Sequence, residues 1–343
     1  MLHYKTTMAI AIAALGTLSA QPALAGKTLE SIKSKGHISC GVTNGVPGFS
    51  APDSAGKWGG LDVDICRAVA AATLGDADKV KYVPLSSQAR FTALQSGEID
   101  ILSRNTTVTL SRDASLGLTA TAIVYYDGQG FLVSGTSKIK SAKQLKGQTV
   151  CVQSGTTNEK NLSDYSRANN LNTKPVVFEK FDAAVDAYFA GRCVAFSTDA
   201  SGLASIRDKF AKNPADHQIL PELISKEPLG PFVRRGDEDW AAIVKWTIYG
   251  LLEAEEYGIT ASNADKLKNE SKDPTIGRIL GSTEDTGKLL GLDKEWLYRA
   301  IKATGNYGEI FDHNVGPNSR LQLPRGLNKL WNQGGLHYAA PIR

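Results

Sequence analysis

The chain reads as an α/β protein in two lobes, each a mainly parallel sheet flanked by helices. Three observations predict this. Between residues 29 and 203, short apolar runs of strand length alternate with helical runs, the order that threads parallel strands through helical crossovers. Residues 122–133 (AIVYYDGQGFLV) and 226–234 (KEPLGPFVR) interrupt that alternation, one with Asp-Gly-Gln-Gly and the other with two prolines. They read as two crossings between lobes. The strand–helix unit restarts between them, so the second lobe is an insertion in the first and closure should be a hinge motion.

Residues 29–35 predict a short helix stopped by Gly36, and residues 37–42 the first strand. The loop 43–60 is rich in Gly, Pro and Ser, which marks it as surface and functional. An alanine-rich helix follows over 61–74, with Val63, Cys66, Val69 and Ala70 on one face, then a strand over 80–84. Residues 90–112 (RFTALQSGEIDILSRNTTVTLSR) are the densest segment. Phe91, Leu94 and Gly97 mark a short helix with a glycine terminus. Ile99, Ile101 and Leu102 mark a brief buried strand. Ser103, Asn105, Thr106, Thr107 and Thr109 then supply hydroxyl and amide groups ahead of Arg112. A guanidinium offers paired donors matching a carboxylate, and neighbouring hydroxyls complete the shell. The same residues read equally as a polar loop whose arginine makes a surface ion pair.

In the second lobe, helices are expected over 142–146, 158–169 and 181–190, and strands over 149–153, 175–179 and 193–197. From Asp239 the chain turns helical, with Trp240, Ile243, Val244, Ile248, Leu251 and Leu252 as an apolar stripe ended by Gly258. Trp296, Leu297, Ala300 and Ile301 form another. The tail 316–343, with Leu327, Leu330 and Trp331, is expected to add helices wrapping the first lobe. In open α/β sheets, ligands bind beyond the carboxyl ends of the strands.

Composition narrows the function. The 343 residues are 42% hydrophobic and 22% charged, as in soluble globular proteins. The formal charge of +4 is spread along the chain, with Lys209, Lys212, Lys266 and Lys268 interleaved with acids, so no nucleic-acid stripe forms. The N-terminus carries Lys5, an apolar stretch over 8–18 and a small-x-small site at Ala23-Leu24-Ala25. This is the pattern of a signal peptide cleaved near Ala25, and its apolar core is too short to span a bilayer. No later run is apolar enough to do so. The four cysteines suit an oxidising compartment and allow three pairings. The five histidines form no ligand pair, and neither a metal nor a cofactor is expected.

ALQSG-x-x-D followed by T-x-T-x-x-R resembles the polar amino-acid-binding proteins of bacterial ABC importers. GVTNGVPGFSAPDSAGKWGGLDVDICRAVA (residues 41–70), TVCVQSGTTNEKNL (149–162) and GRCVAFSTDASGL (191–203) extend the likeness in the right order over residues 28–255. RNTT, YYDGQGF and the closing LNKLWNQGGLHYAAPIR are similar to the broad-specificity branch for general L-amino acids. The resemblance implies a type II periplasmic-binding-protein fold with two hinge crossovers. Lobe 1 would comprise residues 26–127 plus 231–343 with a C-terminal helical extension, and lobe 2 residues 128–230. It also implies Cys40–Cys66 and Cys151–Cys193 disulfides, each within one lobe.

The same resemblance assigns a site. Arg112 would hold the ligand α-carboxylate with Thr107, Thr156 and Thr157, and Asp199 the α-ammonium with Asn105. For Thr156, Thr157 and Asp199 the alternative is helix capping. Asn44, Ser87, Arg90 and Gln153 would line the side-chain chamber. Ser87 falls where relatives often carry a stacking ring, and losing that ring leaves room for unlike side chains. The implied partners are an L-amino acid and an inner-membrane ABC permease, for a monomer in the periplasm. Two rivals share the architecture: a cyclohexadienyl dehydratase-like enzyme, which would need a free acid or base in the cleft, and a sensor that docks a chemoreceptor.

Overall fold

The computed structural model describes residues 26–343; the expected signal peptide lies outside them. The first sheet has the order Val80–Pro84, Ile38–Val42, Ile101–Leu102, Phe232–Arg234, Leu118–Ala120. The second has the order Lys174–Phe178, Thr149–Gln153, Ala195–Asp199, Gln129–Ser134, His217–Ile219. The first three strands of each are parallel, joined through helices. The last two pairings of each are antiparallel, because the fourth strand runs against its neighbours on both sides, so each sheet is mixed where the sequence suggested mainly parallel pairing. The reversal begins at Phe232–Arg234 and Gln129–Ser134, the strands that carry the chain in from the other lobe rather than over a helix.

Between the sheets the two crossings lie side by side. Tyr125–Asp127 pairs antiparallel with Glu227–Leu229, with Asp127 opposite Glu227. Asp199 pairs with Gln129, which brings the end of the Ala195–Asp199 strand to the point where the chain enters the second lobe.

Alternation along the strands explains why these runs look continuously apolar. In the second lobe Phe131, Val133, Val150 and Val152 enter one core, while Leu132, Cys151 and Phe196 enter another on the opposite face. In the first lobe Ile38, Val42, Leu61 and Ile65 pack with Trp240, Ile248, Trp296 and Phe311 of the later helices. Gly250 allows a close approach there, since a Cβ at that position would meet the Leu297 side chain at 2.5 Å. Cys40–Cys66 joins a strand to the following helix (Sγ–Sγ 2.06 Å), and Cys151–Cys193 closes within the second lobe (2.00 Å).

The C-terminal part contains the helices Ala264–Glu270, Pro274–Ile279, Trp296–Thr304 and Tyr307–Asn314. The tail departs from the expectation of helices. Past residue 316 it forms only two 3-10 turns, Gly326–Asn328 and Trp331–Gln333. Pro317, Pro324 and Pro341 and the pair Gly334-Gly335 leave no uninterrupted run for a longer helix. Leu330 is buried, but Leu327 and Trp331 are 57% and 49% exposed. The tail instead braces the crossing: Asn328 accepts the Tyr126 N–H (2.7 Å) and donates to the Tyr126 carbonyl (3.1 Å).

Candidate functional site

The strand Ile101–Leu102 ends in the hydroxyl-rich loop, and the helix Leu110–Ser115 begins at Thr109. Thr109 caps that helix by accepting the Arg112 N–H at 3.3 Å. Arg112 is buried; its Nη1 donates to the Thr107 carbonyl at 2.9 Å and its guanidinium lies over the Phe91 ring at 5.2 Å. Burial lowers its pKa, opposed by Glu227 and Asp199, and an arginine so placed remains a cation. Asn105 sits in the left-handed region at φ 31°, with its N–H donated to the buried Asp62 carboxylate at 2.9 Å. Burial pushes the Asp62 carboxyl up to about 7.

From the second sheet, Thr156 occupies the N-cap of the helix Thr157–Ala168 and accepts the Glu159 N–H at 3.2 Å. The capping alternative therefore describes its hydroxyl. Thr157 does not cap: its hydroxyl donates to Glu227 at 2.9 Å and lies 3.3 Å from the Thr107 hydroxyl. Asp199 stands at the N-cap position of the helix Ala200–Phe210 but makes no capping bond. Its carboxylate accepts from Asn158 Nδ2 at 2.8 Å. Burial raises its pKa well above the usual range, and the neighbouring Asp127 and Glu227 charges add to the rise. A bound cation would relieve that cost.

All ten residues assigned from sequence line one cavity: Arg112, Thr107, Thr156, Thr157, Asp199, Asn105, Asn44, Ser87, Arg90 and Gln153. Arg104, Asn158 and Phe181 also line it, and the sequence reading missed all three. Arg104 lies inside the RNTT element and was legible there as a second cation. Phe181 comes from the helix Phe181–Phe189 beside the second sheet, so the cavity has an aromatic wall although Ser87 carries no ring. Glu227 was missed as well. It lies on the second crossing, 1% exposed, and accepts from Thr107, Thr157, Asn161 and Ser225.

The two halves touch directly across the cavity. Ser87 donates to Gln153 Oε1 at 3.1 Å, Gln88 to the Ser154 hydroxyl at 3.1 Å, and Ser205 to the Pro47 carbonyl at 2.7 Å. Among the described residues, no group of three or more His, Cys, Asp or Glu could hold a metal ion, and no helix is long and apolar enough to cross a membrane.

Residues 38–261 match the model of the bacterial extracellular solute-binding proteins, family 3. The chain belongs to that family. It is 55% identical to the general L-amino acid-binding periplasmic protein AapJ of Rhizobium johnstonii, over 94% of each chain. It is 51% identical to the glutamate/glutamine/aspartate/asparagine-binding protein BztA of Rhodobacter capsulatus, over 94% of this chain and 95% of that one. A Brucella ovis ABC transporter periplasmic binding protein, solved with glutathione bound, is 53% identical with a TM-score of 0.90, covering 92% of this chain and 99% of that one. These close relatives are solute-binding proteins, not enzymes, which removes the dehydratase rival.

Proposed function

We propose that the protein captures free L-amino acids in the periplasm and delivers them to an inner-membrane ABC permease. The observation that carries this reading is a buried guanidinium, Arg112, and a buried carboxylate, Asp199, facing one closed cavity from different sheets. A zwitterionic head group pairs with both, and a ligand lacking either charge leaves one buried and unpaired. Arg112, Thr107, Thr157 and the N-terminus of the Thr157–Ala168 helix serve the α-carboxylate, the two threonines through their backbone N–H groups because their hydroxyl protons go to Glu227, with Thr156 holding that helix start in place. Asp199 serves the α-ammonium, with Asn105 beside it.

Asn44, Ser87, Arg90 and Gln153 form the chamber for the ligand side chain. Its polar walls suit many side chains, in keeping with the breadth in the names of AapJ and BztA. Glutathione, bound to the Brucella ovis relative, carries the same head group on its γ-glutamyl end. Residues 26–127 plus 231–343 act as one lobe and 128–230 as the other, swinging about the paired crossings. The ligand stabilises the closed form by its differential affinity for it. Residues 1–25 serve as the cleaved export signal, and the mature protein works as a monomer.

Calorimetry across the twenty L-amino acids and their D-isomers tests the reading. Micromolar or tighter binding of several L-isomers is expected; a flat response to all of them overturns it.

A further inference from the structure

Beyond residue 261, where the family match ends, the chain reaches back to the crossing that leads into the second lobe. Asn328 makes this contact with both ends of its side-chain amide. Its Oδ1 accepts the Tyr126 N–H at 2.7 Å and its Nδ2 donates to the Tyr126 carbonyl at 3.1 Å. A buried amide therefore stands where the peptide of a third strand would stand. Tyr126 lies opposite Pro228 in the paired crossings, and on the other edge the Pro228 carbonyl accepts the Val108 N–H at 2.8 Å. The tail thus edges one side of the pair and the hydroxyl-rich loop the other.

Asn328 is itself anchored to the first lobe. Arg325 Nη2 donates to the Asn328 carbonyl at 2.8 Å, and its Nη1 pairs with Glu255 of the helix Glu238–Glu256 at 3.0 Å. The same guanidinium lies over the Tyr307 and Phe311 rings at 5.3 and 4.8 Å. Two residues before Tyr126, the Val124 carbonyl accepts the Tyr307 hydroxyl at 2.7 Å. Tyr307 gives its one proton there, so His337 Nε2 donates to the Tyr307 oxygen at 3.0 Å. Helices and tail of the first lobe fix the chain as far as Tyr126. Asp127 is held from the opposite side: its carboxylate accepts the Ser201 hydroxyl and, at 3.3 Å, the Ser201 N–H, in the first turn of the second-lobe helix Ala200–Phe210. The attachment changes lobes between these two residues.

We propose that Asn328 is a positioning residue for lobe closure: by holding Tyr126 to the first lobe it confines the swing to the bonds after Tyr126, which favours closing on a ligand. This rests on the hinge capture of amino acids proposed above. Releasing residues 124–126 adds soft backbone bonds to the hinge. The open form gains most of that freedom, because contacts across the cleft such as Ser87 to Gln153 restrain the closed one. Apparent affinity scales with the fraction of chains able to close, so the loss falls on every ligand alike. Tyr126, Arg325 and Asn328 are not among the residues lining the ligand cavity, so the ranking of ligands stays as it is.

The test is calorimetry on the full protein, stripped of ligand, with L-glutamate, L-glutamine and L-alanine as probes, beside small-angle scattering of the ligand-free form. Asn328→Ala should weaken binding of each probe that the wild type binds by about tenfold, the scale of freeing one residue's backbone. It should also enlarge the ligand-free radius of gyration. Asn328→Asp keeps the size and the acceptor for the Tyr126 N–H but loses the donor, so a smaller loss in the same direction is expected. That variant keeps the test decisive should Asn328→Ala fail to fold. Affinities within about threefold of wild type overturn the proposal even where the melting temperature falls, since a merely structural bond gives that result. A loss confined to one ligand overturns it too. If no amino acid gives heat with the wild type, the capture reading falls and scattering alone judges the hinge: a larger radius in Asn328→Ala supports the role of Asn328, and an unchanged one overturns it.

Discussion

Glu227→Gln perturbs the contact that joins the two halves of the clamshell. Glu227 Oε2 accepts from Thr107 at 2.6 Å and Thr157 at 2.9 Å, and Oε1 accepts from Asn161 at 2.7 Å and Ser225 at 2.6 Å. Thr107 follows a strand of the first sheet and Thr157 starts a helix of the second lobe, so one carboxylate oxygen links both. A glutamine keeps the volume but turns charge-assisted bonds into neutral ones. The difference is about 1 kcal/mol per bond, or roughly 2–4 kcal/mol over the set. Part of this is offset, because removing a negative charge near Arg112 leaves its guanidinium freer to attract the ligand carboxylate.

The remaining deficit falls mainly on the closed form, which alone needs the two threonines together. Ligand affinity should drop by about 10- to 100-fold. Titration calorimetry on the best amino-acid ligand measures this, and small-angle scattering follows the compaction on binding. An affinity within about threefold of wild type, with unchanged compaction and melting temperature, would refute the latch.

Other predictions concern the clamp and the pH response. Arg112→Ala should weaken amino-acid binding by at least about 1,000-fold while the circular dichroism spectrum stays native; retained micromolar binding tells against its role. Asp62 holds its proton to about pH 7 in the folded chain, against 3.8 when unfolded, so it binds more protons folded and its contribution is lost as pH rises from about 4 through 7. Asp62→Asn should flatten that part of the urea-unfolding pH profile by a few kcal/mol, and an unchanged profile counts against the assignment. His337 has the opposite sign: burial lowers its folded pKa to about 3, so stability should fall as pH drops from about 6.5, and His337→Gln should reduce the drop in the same profile. Removing the second-lobe disulfide with Cys151→Ala and Cys193→Ala should cost about 3–4 kcal/mol by urea unfolding, and a loss below about 1 kcal/mol would contradict the expected loop-entropy contribution.

Local rules carried far in this chain. The helix Leu61–Leu74 and the strands Val80–Pro84 and Thr149–Gln153 lie at the predicted boundaries, because a glycine or a polar turn stands at their ends. The run from Arg90 to Arg112 was legible for the same reason, since hydroxyl donors crowd the end of a very short strand. Rules of this kind failed at the tail, where an apolar stripe suggested a helix and prolines with paired glycines prevented one. They were also silent on Glu227, which sits in a proline-containing crossover and looks like an ordinary surface acid in sequence. Its four donors come from residues 107, 157, 161 and 225.

What the residue order determined by itself is the list of parts: the strand–helix alternation, the two interruptions, and the donors clustered at strand ends. Those follow from period, glycine and proline, which act within a few residues. Only the tertiary structure decided which parts meet. It set Arg90 and Arg104 in one cavity with Phe181 and Ser87, and gathered Asp127, Asp199 and Glu227 near the paired crossings. Burial and charge proximity depend on atoms far apart in the chain, and the strength of each interaction is set by how much water the closed fold excludes.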